Sequence, residues 1–485
     1  MMLWLVVAYL VVSIGIGLIA AARVHNARDY IVAGRNLPMY IVLAMVFATW
    51  FGAETVLGIS ATFLDEGFRG LISDPLGASL CLVLFGLIFA RPLYRMNLLT
   101  LGDFFRVRYN RQTELILSIC IIVSYLGWVG AQITALGLIF DILSQGAITP
   151  AQGILIGTAV IVLYTLFGGM WSVAITTFVQ MIVIVAGLLY VTWLASDMAG
   201  GFTTVISSAA AEGKFEWLPK LDALDILAWT AALVTMALGS IPQQDVFQRV
   251  NSSKNENIAV WSTALGGMAY FFFAAVPLFL AYSATLVDPA MVERLMAEDT
   301  QRILPTLIVD YMPFTAQVVF FGALLSVIMS TASGTLLAPS VTFSENVVRG
   351  FFPGMTDRQL LWTTRVTVAG FAVIVTAYAL STDATIHHMV ESAYRVTLAG
   401  AFVPLAAGLF WKRANNLGAG LAIAFGLATW LLLEFTMPEG DIEPQLLGLF
   451  AAALGMLIGG YVGPRNHHRP HAGHHRAAAA THHAR

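Results

Sequence analysis

Long apolar runs alternate with short polar stretches along almost the whole chain. Runs of the length that crosses a bilayer as a helix, about 20 residues, recur about thirteen times. They fall near 3–22, 39–64, 71–93, 115–143, 151–168, 171–196, 225–248, 258–286, 314–345, 360–381, 386–411, 416–436 and 443–463. The pattern predicts an all-α polytopic membrane protein. Two runs carry breaks that a merely lipid-soluble helix does not need. Residues 44–58, AMVFATWFGAETVLG, hold Gly52, Glu54 and Gly58 mid-run, and residues 237–250, ALGSIPQQDVFQRV, hold Gly239, Ser240 and Pro242. Glycine weakens a helix, proline removes one of its bonds, and an unwound turn frees carbonyls that can bind a cation.

The second interruption comes five runs after the first. Paired discontinuous helices at matching places in two halves point to a transporter built from an inverted repeat of five helices. This divides the chain into a peripheral start, 1–38, a first repeat, 39–196, and an outer loop, 197–224. A second repeat, 225–411, peripheral spans, 412–464, and a disordered tail, 465–485, follow. Segments 197–224 and 287–313 read as interfacial helices or lids.

Arginine and lysine fall on alternate loops: Arg23, Arg28 and Arg35; Arg91 to Arg111; Arg249 and Lys254; Arg349 to Arg365; Lys412 and Arg413. The opposite loops are rich in Asp and Glu. Basic loops stay in the cytoplasm, which predicts an outside N-terminus and a cytoplasmic C-terminus. The start, 3–22, lacks the basic head and cleavage site of a signal peptide and reads as a retained span.

Composition sharpens this picture. The chain is 58% hydrophobic and 11% charged, where a soluble domain carries about 25% charged residues. A net charge of −3 gives nucleic acid no purchase, and two cysteines inside apolar runs, Cys81 and Cys120, make no disulfide framework. Seven of the ten histidines sit in the tail, with no catalytic role expected. No enzyme domain is recognisable.

Glu54 is the sharpest local feature, because a carboxylate at the membrane centre costs about 2.5–3.5 kcal/mol on insertion scales. Either it faces a cavity and meets a solute cation or a proton, or it pairs structurally with Gln243 or Gln244. Ser330 and Thr331, flanked by Ser326, Ser333 and Thr335, form a polar stripe. The stripe fits an ion path or merely close helix packing by small residues. Asp245 and Arg249, and Glu391 and Arg395, have the spacing of helix salt pairs, and Asp74 that of a cap.

Four motifs together resemble the sodium:solute symporter family: AGRNLP at 33–38, GGMWSVAITTFVQ at 168–180, IMSTASGTLL at 328–337 and FWKRANNLGAGLAIAFG at 410–426. Within it, ATWFG, PLGASLCLVLFGLIFARP and ALGSIPQQ..FQRV are similar to the high-affinity choline transporter branch. The resemblance implies a leucine-transporter-type core. It places sodium on the carbonyls of Ala48, Phe51 and Val327 and the hydroxyls of Ser330 and Thr331. Thr177 and Ser333 stand where relatives carry aspartate, which implies a single sodium per cycle. Trp50 and Trp128 match aromatic walls of the choline pocket, whereas Ala78 and Gln243 replace its other aromatics, so choline itself is not the expected cargo. The expected solute contacts are Trp50, Glu54, Trp128, Gln243 and Gln244. The expected function is sodium-driven uptake of a small organic solute, with a Glu54-dependent proton carrier or a transporter-like sensor as alternatives.

Overall fold

The computed structural model describes residues 2–382, 386–437 and 442–464. The histidine-rich tail and the Glu391 side chain, with its expected pairing to Arg395, lie outside the described residues. Among those described, regular structure is helical apart from one isolated parallel bridge between Leu37 and Ser253. That bridge ties the entry of the first interrupted run to the exit of the second: Leu37 N–H donates to the Ser252 carbonyl at 3.1 Å and Lys254 N–H to the Leu37 carbonyl at 3.0 Å.

Among the described residues, ten helices are long and apolar enough to cross a membrane, or eleven if the bent pair Ala223–Gly239 and Gln244–Asn251 is one span. This is a multi-pass membrane protein. The expected thirteen crossings are not matched helix for helix, for two reasons. Met39–Trp50 is too short to count alone, and two continuous stretches, Glu54–Arg95 with 42 residues and Pro150–Met198 with 49, exceed what one crossing needs. Gly169 interrupts the second stretch with φ 49° and ψ −137°. A Cβ there would lie 2.5 Å from the Tyr30 carbonyl oxygen, so the corner between the two halves requires glycine.

Local sequence sets the helix starts. The Asn110 side chain accepts from Thr113 N–H at 2.8 Å to open Arg111–Ser144, and Thr149 and Gln152 cap each other's backbone ahead of Pro150. Phe314–Thr342 packs against Arg111–Ser144 and Pro150–Met198. Every residue from Ala323 to Thr342 is buried, so this helix runs through the centre of the molecule and presents no face to lipid there. Ser330 and Thr331 are thus buried between helices, a setting that suits an ion path and close helix packing alike. Peripheral helices Met2–Ala21 and Asn416–Thr436 instead expose large apolar side chains such as Trp4, Leu432 and Phe435.

The two acidic segments form short helices, Phe202–Ala211, Pro289–Glu298 and Ile303–Tyr311. At the end carrying the basic loops, charges knit three elements together. Arg106 meets Asp103 at 3.0 Å, Arg111 meets Glu114 at 2.6 Å, and Arg349 meets Glu345 at 2.8 Å. The buried Asn346 amide donates to Glu114 at 2.9 Å and Asp103 at 3.2 Å, closing the network.

Candidate functional site

The first interruption is real and lies inside 44–58. Helix Met39–Trp50 ends where Phe51 leaves helical geometry at ψ 79°, and helical structure resumes at Glu54. Gln132, from Arg111–Ser144, holds the break: its Oε1 accepts from Ala53 N–H at 3.0 Å and its Nε2 donates to Glu54 Oε2 at 2.7 Å. The freed carbonyls of Ala48 and Phe51 turn toward the central helix. There the Thr331 hydroxyl donates to them at 3.1 and 3.2 Å. The Ser330 hydroxyl donates to the Val327 carbonyl at 2.9 Å. All five residues are buried. The Ala48 and Phe51 carbonyls with the Thr331 hydroxyl form one neutral oxygen group, and the Val327 carbonyl with the Ser330 hydroxyl a second. Such oxygens are the chemistry with which unwound transporter helices bind cations. No acidic group is needed, and none of the five donors carries charge.

On the other side of the break lies an aromatic cluster. Trp50 stacks on Trp128 with centroids 4.8 Å apart and planes 12° apart, and Tyr394 meets both edge-on at 5.4 and 5.7 Å. Tyr125 stacks on the far side of the group, 6.0 Å from Trp128. At 4.8 Å the two indoles touch, so a solute in contact with both faces requires them to part. Around this cluster Trp50 Nε1, Trp128 Nε1, Tyr394 Oη and Glu54 Oε1 are buried and find no hydrogen-bond partner among the described residues. The Trp128 indole lies beside the Glu54 carboxylate. Buried polar groups are nearly always paired, so four orphans around one cluster mark a place built for something else to bond.

The other expected contacts are placed differently. Gln243 spends its amide on Ser124, at 3.2 Å, and Thr397, at 3.4 Å, and Gln244 accepts from Leu101 N–H at 2.7 Å, which caps a short helix. Neither meets Glu54, whose partner is Gln132. Asp245 and Arg249 bond to other groups despite their spacing. The Tyr125 hydroxyl donates to Asp245 at 2.6 Å, and Arg249 donates to the Met45 carbonyl and to Thr49 Oγ1 at 2.8 Å. Asp74 is no cap: it is buried, and the Tyr270 hydroxyl donates to it. Sequence reading passed over Gln132, Tyr125, Tyr270 and Tyr394. For Gln132 a signal existed, an amide one helical turn past Trp128 inside an apolar run.

Comparison with known proteins follows the same line. Human (Homo sapiens) high affinity choline transporter 1 is 28% identical over 450 residues, spanning 87% of this chain and 75% of that protein. High-affinity proline transporter PutP of Bacillus subtilis (strain 168) is 26% identical over 467 residues, 90% of this chain and 93% of the relative. Among solved structures, a substrate-bound, outward-open Na+-coupled sialic acid symporter superposes with a TM-score of 0.80 at 16% identity, covering 96% of this chain and 98% of that one. MHP1, a nucleobase-cation-symport-1 family transporter in a closed conformation, gives 0.60 at 15% identity over 90% and 95%. These likenesses identify the fold as the leucine-transporter type. With residues 30–426 matching its family description, the chain belongs to the sodium:solute symporter family.

Proposed function

We propose that this chain is a sodium-coupled symporter that imports a small organic solute by alternating access. Sodium is held by the carbonyls of Ala48, Phe51 and Val327 and the hydroxyls of Ser330 and Thr331. The solute lies on the opposite side of the same break, against Trp50, Trp128 and Tyr394 with Glu54 beside them. Residues 39–196 and 225–411 are the two inverted repeats, the N-terminus is outside and the C-terminus cytoplasmic. The observation that carries this reading is the Thr331 hydroxyl seated between the Ala48 and Phe51 carbonyls, at 3.1 and 3.2 Å.

The mechanism follows from that placement. Sodium replaces the Thr331 proton as the partner of the two carbonyls and so fixes the broken helix to the central helix. Trp50 of the aromatic cluster sits on that broken helix, so ion and solute stabilise one arrangement together. One charge crossing about 100 mV supplies about 2.3 kcal/mol, and a tenfold sodium gradient adds about 1.4 kcal/mol. Together these sustain roughly a few hundredfold accumulation of a neutral solute.

The test is uptake into proteoliposomes with imposed gradients. Solute uptake that follows an inward sodium gradient, and fails when lithium-free potassium buffer replaces sodium, supports the reading. Uptake driven by a proton gradient alone overturns it. That outcome would favour proton coupling through Glu54, which the adjoining Thr55–Tyr270–Asp74 hydrogen-bond chain favours structurally.

A further inference from the structure

The symport reading leaves the cargo unnamed, but the bonds around Glu54 narrow its chemistry. Gln132 fixes one carboxylate oxygen, Oε2, and leaves Oε1 buried with no hydrogen-bond partner among the described residues. The carboxylate also folds back on the chain: a Cβ on Gly52 would lie 2.5 Å from Oε2 and 2.8 Å from Oε1. Glycine at 52 thus gives the carboxylate its room. No lysine or arginine pairs with Glu54 among the described residues, and the charged group that bears on it, Asp74, has the same sign. A lone carboxylate at this depth is costly unless a cation meets it.

Two kinds of organic cation could stand beside the indoles. A quaternary ammonium satisfies aromatic faces but has no proton to donate. A protonated primary, secondary or tertiary amine offers the same charge and at least one N–H. The unpartnered atom here is a carboxylate oxygen, which calls for a donor and not merely for positive charge. The remaining orphans, Trp50 Nε1, Trp128 Nε1 and Tyr394 Oη, are all able to donate, so the same molecule needs an acceptor at its other end.

Resting on the symport reading above, we propose that the cargo is a small amine, protonated on nitrogen and carrying a hydroxyl or carboxylate, whose N–H donates to Glu54 Oε1. Its carbons lie against Trp50 and Tyr394, and its acceptor faces the indole N–H groups. Glu54 is then the residue that separates N–H cations from their fully methylated counterparts.

The experiment uses the purified full chain in lipid nanodiscs and follows its melting temperature in sodium. The probes are 2-(dimethylamino)ethanol, protonated at neutral pH, and choline, in which one further methyl replaces the N–H. The amine is expected to protect at a concentration at least about tenfold lower than choline, the worth of one charged hydrogen bond. Glu54→Gln should erase that preference, and Glu54→Asp should keep part of it. Protection by choline equal to or better than the amine, protection by neither, or an unchanged preference in Glu54→Gln overturns the proposal. So does a Glu54-dependent effect of sodium alone, which would make the carboxylate an alkali-ion ligand. Sodium titrations of the same samples without amine separate the two levels. Stabilisation by sodium that survives while the amine preference fails sinks only this inference, whereas its absence in the wild type sinks the symport reading beneath it.

Discussion

The two interrupted crossings carry the same kind of sequence signal and end up doing different work. In the first, the break has no proline, and its backbone oxygens face a neighbouring helix through a single hydroxyl, Thr331. Its side chains Trp50 and Glu54 keep buried atoms without partners. In the second, Pro242 lies in a 46° bend, and neighbouring helices take up part of what the bend frees. Thr397 donates to the Gly239 carbonyl at 2.7 Å, and Gln243 is held by Ser124 and Thr397. Beyond the bend, Asp245 is held by Tyr125. Orphaned atoms occur beyond the second bend as well, at Gln244 Nε2, Asp245 Oδ2 and Arg249 Nη2, so the difference lies at the break itself: the second ties its freed Gly239 carbonyl to Thr397 and acts as a strut. Arg249 joins the two, since it leaves the second crossing to bond Met45 and Thr49 in the first, and its guanidinium lies against Gly334 of the central helix.

The strut can be broken most severely at its glycine. A Cβ on Gly239 would meet the Tyr394 backbone oxygen at 2.7 Å, an atom that cannot step aside. Gly239→Ala should cost about 3 kcal/mol of stability, read as a fall in melting temperature; a neutral result would mean the bend is slack. Next in size is Thr331→Ala, for which the sodium concentration giving half-maximal uptake should rise about tenfold or more. The matching change at the strut, Thr397→Ala, should leave that concentration unchanged while costing about 1 kcal/mol of stability. Equal sodium responses from the two would erase the distinction between the breaks.

Arg249→Lys keeps the charge but shortens the side chain whose Nη1 serves both acceptors. Uptake should fall about fivefold with the fold retained, and unaltered transport would show that the crossings are not coupled through this side chain. Gly52→Ala should be milder than its counterpart at 239, about 1 kcal/mol, because the clash is with the end of the Glu54 side chain. Adding Glu54→Ala should remove that cost; a persistent loss in the double variant would place the strain elsewhere. Smallest of all, Pro242→Ala should change stability by less than about 1 kcal/mol, since Thr397 and Gln243 hold the bend without it. A large effect in melting experiments would make proline the cause of the bend.

Both breaks were legible in the sequence because glycine, proline and a carboxylate stand out inside apolar runs. The oxygen groups of Ala48, Phe51, Val327, Ser330 and Thr331 were singled out through family resemblance, and the structure joins Thr331 to Ala48 and Phe51 and Ser330 to Val327. What stayed hidden was partner choice. Gln132 meets Glu54 across 78 residues of chain, a pairing that only the packed helices define. Spacing gave Asp245 and Arg249 to each other, but Tyr125 and Met45 approach from other helices and bond them first. Asp74 looked like a cap because it lies near the start of an apolar run, yet Tyr270 from a distant helix reaches it. Local spacing cannot anticipate competitors that arrive only on folding.

The charge network at the basic end has one further consequence. Its arginines are partly open to water, with side chains 44%, 36% and 37% exposed at Arg106, Arg111 and Arg349, whereas the acids they grip are sunk in protein. Dissolved salt therefore reaches one partner of every bond and screens it. The network that joins these three elements is thus softer in concentrated electrolyte than in dilute, and the cohesion of this end of the molecule becomes a function of ionic strength.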